Sequence, residues 1–347
     1  MGAWKSGDPV ERDEESMSTG RHQQSTPGQS EASPADNATG ARRDVVCSLL
    51  ENDDHPGAAV LVHSILKAGF TGRFWLGYRG KQPYWASKLE RRTDGLYVVG
   101  DALLGLQPVP GEESFSTWKP EFMRLLIDQG LARRNLWYFD PKVTVRGAWS
   151  FFERWITHGV CLCQENNMGT MPENHPLRLE WVEVAQSAGW GEPEDQLERY
   201  FSSGFVGLHV RHRRFLDTWS GAIELAGKSS FLSESESKQT RANPFYLLDQ
   251  DTMNLAAMYS GAPLTTIGPE GLGWVPGGFT MYHAGAGKPW QKKFLVSALM
   301  GNPPSNADKY FLSCADGPLH PFTQGWLRRR RLTVAWASLV GRFHRRY

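Results

Sequence analysis

The sequence predicts an α/β protein built on a mostly parallel mixed sheet flanked by helices, and three observations predict it. Apolar runs of strand length alternate with helix-length amphipathic segments from residue 44 onward. Two of the runs end on an aspartate, Asp101 and Asp140, and ligands of such sheets bind beyond the carboxyl ends of the strands. The composition, 40% apolar and 22% charged over 347 residues, is that of a globular chain long enough to bury a sizeable core.

Residues 1–42 are rich in Ser, Gln, Gly, Pro and acids, too polar to offset their ordering entropy, and are expected to form a disordered leader. Val45–Leu50 is the first buried strand. Asp53-Asp54-His55-Pro56 opens a helix that runs to Leu66 and stops at Gly69, with Pro in the first turn and Gly past the end. Arg73–Tyr78 and Leu96–Asp101 are further strands, and Pro120–Gln129 is a helix closed by Gly130. Leu136–Phe139 is a strand tipped by Asp140, Trp149–Thr157 a helix, Val160–Cys163 and Ser203–Leu208 strands. Helices are expected over Arg211–Leu225, Phe245–Tyr259 and Pro289–Met300, with a polar mobile loop at Lys228–Arg241 and a Gly/Pro loop at Glu270–Gly278. One domain is thus expected over 43–302, then a connector over 303–324 and a basic amphipathic tail over 325–347.

With 38 basic against 37 acidic residues the net charge is +1, which excludes a chain that is basic throughout or an acidic disordered one. Four scattered cysteines, Cys47, Cys161, Cys163 and Cys314, form no disulfide framework and fit a reduced, cytoplasmic setting. Cys161 and Cys163 are assigned to opposite faces of their strand, as core residues rather than metal ligands. No apolar run approaches the ~18 residues of a spanning helix, and the N-terminus has no signal-type apolar core. The tail carries seven Arg and no acid, interleaved with Trp326, Leu332, Trp336, Leu339 and Phe343. Such a helix lies on anionic membrane surfaces, which suggests a peripheral position at an inner face. A terminal helix packed on its own domain is the alternative, and nucleic acid is not the expected partner.

Three segments carry chemistry. Trp137-Tyr138-Phe139-Asp140-Pro141-Lys142 presents a carboxylate at a strand tip; a turn cap would use the same residue. Asn243-Pro244-Phe245-Tyr246-Leu247-Leu248-Asp249-Gln250-Asp251-Thr252-Met253-Asn254 gathers polar groups at a helix start, where capping and the helix dipole also favour acids. His283-Ala284-Gly285-Ala286-Gly287-Lys288-Pro289-Trp290 combines small residues, which admit a ligand to the backbone, with a lysine placed at a helix start where a phosphate is favoured. Glu165-Asn166-Asn167 follows a strand end within reach of an acceptor or as a loop cluster, and His209–Arg214 is a charge run of a solvated face. Trp274 and Trp290 are the Trp side chains best placed to stack on a sugar.

Taken in order, Tyr138-Phe139-Asp140-Pro141, Ser203-Gly204-Phe205-Val206-Gly207, Asp249-Gln250-Asp251-x-x-Asn254 and a Gly loop ending Lys288-Pro289-Trp290 resemble glycosyltransferase family 8, over roughly 44–300. The resemblance implies a GT-A fold and transfer of a sugar, with retention of configuration, from a nucleotide sugar, expected to be UDP-linked, to a glycan or lipid-linked acceptor. It implies that Asp140 is the first aspartate of an Asp-x-Asp motif holding a divalent metal. Asp249 and Gln250 would face the sugar and reaction centre as the catalytic pair, and Lys288 would grip the diphosphate. Lys119, in Trp118-Lys119-Pro120, would open a helix at the donor pocket, and Val46–Leu50 would line the uracil. Ser203, Gly204, Gly285 and Gly287 allow close approach to the donor, and Asp251 ranks below them because it points elsewhere if this stretch is helical. No organic cofactor is implied.

Two positions depart from the family pattern. Lys142 stands where the second aspartate belongs, and a protonated lysine ligates no metal. Tyr282 stands where the metal-binding histidine belongs, with His283 one place late. Three expectations follow: a transferase with weak or no metal dependence, in which Lys142 and Lys288 neutralise the diphosphate; a non-catalytic nucleotide-sugar-binding protein; or a shortened loop that brings His283 to a Mn2+ or Mg2+ ion on Asp140.

Overall fold

The computed structural model describes residues 44–111, 114–166, 168, 170–228, 244–278, 280–285 and 287–344. The expected leader and nearly all of the expected loop at Lys228–Arg241 lie outside the described residues. An eight-stranded sheet forms the centre, in the order β3-β4-β2-β1-β5-β8-β7-β9. Its strands are β1 (Val45–Glu51), β2 (Arg73–Arg79), β3 (Tyr97–Val99), β4 (Ala102–Pro108), β5 (Asn135–Phe139), β7 (Val160–Gln164), β8 (Phe201–His209) and β9 (Leu264–Ile267). A separate antiparallel ribbon pairs β6 (Val143–Val145) with β10 (Met281–His283).

The helices are α1 (His55–Lys67), α2 (Lys119–Asp128), α3 (Trp149–Trp155), α4 (Pro176–Ser187), α5 (Arg213–Lys228), α6 (Leu248–Tyr259), α7 (Phe294–Leu299), α8 (Asn306–Cys314) and α9 (Gln324–His344). β1 is apolar on both faces because helices cover both. Cys47 and Leu49 join the core beneath α2, α4, α5 and α6, while Val46 and Leu50 join the core beneath α1 and α3. A third core joins α7, α8 and α9. The mixed α/β architecture is the one the sequence predicts.

Several boundaries differ. The segment expected to be a helix from Pro289 is helical only from Phe294, and the expected connector contains α8, capped by a Ser305–Asp308 capping box. β4, β6, β9, β10 and α4 were not expected. Cys161 and Cys163 lie in the same core cluster, not on opposite faces, since residues two apart on a strand share a face. All four cysteines are buried and free. Asp101 is also corrected as a ligand-end residue. β3 runs antiparallel to β4, so its end falls at the amino ends of the parallel strands, where Asp101 sits exposed in the β3–β4 turn.

Candidate active site

β1, β2, β4 and β5 run in one direction, so their carboxyl ends share one edge of the sheet. β8 runs opposite to β5 and contributes its amino end there. Strand order reverses between β1 and β5, and a crevice opens at this switch point. The crevice comprises two adjoining cavities, of about 270 and 170 Å³, that share Lys119, Asp140, Lys142 and Asp249. The first is walled by Leu49, Phe115, Tyr138 and Lys288, among others. The second is walled by Glu165, Ser203, Gly204, Gln250, Trp274 and His283, among others.

Asp140 is fixed by the continuation of the sheet, since its N–H donates to the Gly204 carbonyl at 2.9 Å. The Tyr138 hydroxyl donates to its Oδ1 at 3.0 Å. The Lys119 ammonium, 5% exposed, stands 3.3 Å from the same oxygen and 2.8 Å from Asp249 Oδ2. It also donates to the Ser203 carbonyl and hydroxyl at 3.2 and 3.1 Å. Burial pushes the Asp140 carboxyl up, but Lys119, then His283 and Lys142, more than offset it, so the group is held well below the usual carboxylate range. Burial likewise pulls the Lys119 ammonium down, and Asp140 with Asp249 outweighs that, leaving it above its ordinary value.

The first turn of α6 sorts its polar side chains by direction. Asp249 Oδ2 accepts from Ser203 Oγ at 2.7 Å, and Gln250 Oε1 accepts from the Ser203 N–H at 3.2 Å. Asp251 points about 100° further round the helix from Gln250. It accepts from the Tyr200 hydroxyl at 2.6 Å and the Leu247 N–H at 2.7 Å, and it lines neither cavity. Burial pushes its carboxyl up to about 7. Asn254 clamps α6 to β8 by bonding both the N–H and the carbonyl of Phe201, each at 2.8 Å.

Two further cations face the first cavity. Lys288 pairs with Asp54 Oδ1 at 2.8 Å, so an aspartate read as helix punctuation carries a site lysine. Lys288 lies in a turn and not at a helix start, as α7 begins only at Phe294. Lys142 Nζ donates to the Gly285 carbonyl at 3.4 Å. Gly285 has φ +65°, a conformation suited to glycine, and opens on a neighbouring groove; a Cβ on Gly287 would strike Lys292. The two glycines shape the loop, whereas Gly204 touches the crevice directly: a Cβ there would lie 3.2 Å from the His283 ring and 3.3 Å from Asp140 Oδ2.

His283 reaches Asp140 through ribbon register, because it pairs with Val143 and so lies beside the strand tip. Its Nε2 is 3.8 Å from Asp140 Oδ2. The Gly285 N–H donates to Nδ1 at 3.0 Å, so the hydrogen-bond network assigns the proton of the neutral ring to Nε2, the nitrogen facing Asp140. The residues present therefore do not fit a divalent ion. They offer two carboxylates, Asp140 and Asp249, already bridged by the Lys119 ammonium, a ring nitrogen that bears its proton, and an ammonium in the second aspartate's place. Among the described residues no group of three His, Cys, Asp or Glu side chains is placed to hold a metal.

Trp274 edges the second cavity, with its ring 5.6 Å from His283. Trp290 is core: its Nε1 donates to the Asp53 carbonyl and its ring stacks on Phe311. Glu165 is buried against the second cavity. Arg213 and Arg214 of the charge run make salt bridges at the surface, with Asp128 and Glu194. Sequence reasoning missed Tyr138, Asp54 and Phe115; Tyr138 had a signal, two residues before Asp140 in a strand and hence on the same side.

No family model and no curated protein matches the chain. Solved structures similar to it include the WbbM bifunctional glycosyltransferase in its apo form, at TM-score 0.46 and 14% identity, covering 83% of this chain and 51% of that one. The galactosyltransferase LgtC, in complex with donor and acceptor sugar analogues, is similar at TM-score 0.44 and 16% identity, covering 82% and 99%. The glycosyltransferase GlyE of Streptococcus pneumoniae is similar at TM-score 0.45 and 11% identity, covering 82% and 62%. The chain thus spans about half the length of WbbM and under two thirds of GlyE.

Proposed function

We infer that the chain is a glycosyltransferase of GT-A type that moves a hexosyl group from a UDP-sugar to a glycan or lipid-linked acceptor with retention. The observation that carries this is the convergence of Asp140, Gln250 and Lys288, distant in sequence, on two adjoining cavities. The first cavity suits the nucleotide: Leu49 and Phe115 give apolar walls for a base, and Lys142 and Lys288 give the positive charge a diphosphate needs. The second suits the sugar, whose hydroxyls meet Asp249, Ser203 and Glu165. The C1–O bond to phosphate breaks with its electron pair leaving on the phosphate oxygen. The acceptor oxygen then bonds C1 from the same face and gives its proton to that phosphate. The transition state is oxocarbenium-like, and the Gln250 amide oxygen, oriented by the Ser203 N–H, lies beneath it. The two ammonium groups neutralise the leaving diphosphate, so the reaction does not depend on a divalent ion.

Calorimetric titration with UDP and turnover of UDP-hexoses, each with and without chelator, test this. UDP binding and turnover persist in chelator. Lys142→Gln and Lys288→Gln each weaken UDP by about tenfold or more, as charge-assisted bonds are lost. Gln250→Ala cuts transfer while UDP binding survives. Absence of UDP binding sinks the nucleotide-sugar reading, and loss of binding in chelator sinks the lysine assignment. Lys142 also favours a second reading, a non-catalytic nucleotide-sugar-binding protein, which UDP binding without transfer or donor hydrolysis would select.

A further inference from the structure

We propose that the outward face of α9 docks on an anionic lipid bilayer surface. An ordinary surface helix has one apolar stripe, turned to the core; α9 has two, on opposite sides. Leu327, Val334 and Ala337 face the protein and are buried with α7 and α8. Leu332, Trp336, Leu339 and Phe343 follow the spacing i, i+4, i+7, i+11, which at about 100° per residue confines them to an arc of about 60°. That arc lies opposite the buried stripe. Leu332, Trp336 and Phe343 are 62%, 61% and 67% exposed. α7, which packs on α9, exposes Leu295, Val296 and Leu299, with Met300 just beyond it. Only four other large apolar side chains among the described residues are exposed, Tyr84, Leu179, Tyr246 and Leu247, so this is a concentration and not the usual scatter.

Charge selects the occupant. The helical angles put Arg328, Arg331 and Arg342 on one flank of the outer stripe and Arg329 on the other. None of the four enters a salt bridge among the described residues. Gln324–His344 contains no acid. A second copy would set these arginines against their own kind, whereas an anionic headgroup layer neutralises them while the apolar stripe enters the acyl boundary. No helix among the described residues is long and apolar enough to cross a membrane, so the contact is interfacial.

The test is flotation of the full chain with vesicles of phosphatidylcholine alone and with about one third phosphatidylglycerol, beside sedimentation velocity without lipid. The chain floats with the anionic vesicles and not the neutral ones. Arg328→Gln, Arg329→Gln and Arg331→Gln together lower partitioning on the order of 100-fold, at about fivefold per arginine. Trp336→Glu with Leu339→Glu abolishes it; both positions are exposed, and circular dichroism and UDP affinity check that the fold is kept. Failure to float with anionic vesicles at low salt overturns the proposal, as does flotation unchanged in both variants. A dimer in solution that Trp336→Glu dissolves, without vesicle binding by the parent, assigns the face to a second copy instead.

Discussion

Lys119→Met removes the ammonium that stands between Asp140 and Asp249. At 5% exposure, with Nζ within 3.3 Å of both carboxylates, the cost is set by the charges left behind rather than by the lost attraction. Deleting one partner of a buried pair costs about 3–5 kcal/mol, and methionine keeps most of the stem volume, so the packing loss is small. For a chain of this size the expected fall in Tm is about 5–8 °C. The cost also depends on pH. The Asp140 carboxyl is held low in the folded protein, chiefly by Lys119 against the opposing effect of burial. Its stabilising contribution is therefore present above the unfolded carboxylate value of about 4 and is lost in stronger acid. In the variant that counterion is gone, burial pushes the Asp140 carboxyl up, and protonation relieves it. The gap between parent and variant, read from urea unfolding, is thus largest near neutral pH and narrows as pH falls from 7 toward 4. Asp249→Asn in the Lys119→Met background recovers part of the loss. A gap below about 1 kcal/mol at pH 7, or one that does not change with pH, refutes the reasoning.

Other perturbations follow from the same geometry. Gly159→Ala places a Cβ onto the Pro263 carbonyl at φ +149°, where β7 meets β9, and is expected to cost about 2–5 kcal/mol in chemical denaturation; a neutral effect would mean this junction gives freely. Asn254→Leu leaves the Phe201 N–H and carbonyl without the side chain that bonds them, and a loss of about 3 kcal/mol is expected, with UDP affinity falling as α6 loosens on β8. His63 bonds the Cys314 carbonyl through Nδ1 and the Leu319 N–H through Nε2, and burial lowers its pKa to about 4. Its contribution is complete above the unfolded value of about 6.5 and is lost as pH falls toward 4, a difference of roughly 3 kcal/mol. His63→Gln should therefore flatten the acid limb of the stability profile; an unchanged limb assigns it to other groups.

Much of the architecture was legible in local pattern. β1 declared itself as an apolar run interrupted only by Ser48, α1 by Pro56 and Gly69, and the Asp249-Gln250 pair by its place at the start of α6. Each of these rests on interactions within a turn or two, and such interactions are written in consecutive residues. What was not legible depends on partners far along the chain. β9 and β10 are strands of four and three residues whose identity comes from pairing, and β4 is recognised by its parallel pairing with β2. Helical periodicity already turns Asp251 away from Gln250, but that its partner is Tyr200, 51 residues away, is decided by the fold. Trp290 matches a sugar-stacking residue by sequence and lies in the core by contact.

The histidine beside Asp140 draws the line most sharply. Counting along the chain puts His283 one place late, and spacing alone could offer a shortened loop as one of three expectations without deciding for it. Pairing with Val143 across the β6–β10 ribbon brings it beside Asp140, because sheet register and not sequence distance sets which side chains meet. The chain states which chemical groups are present and roughly which element carries each. Long-range pairing and burial determine that Lys119 balances two carboxylates and that Asp54 holds Lys288, since those contacts exist only once the sheet edge has brought them together.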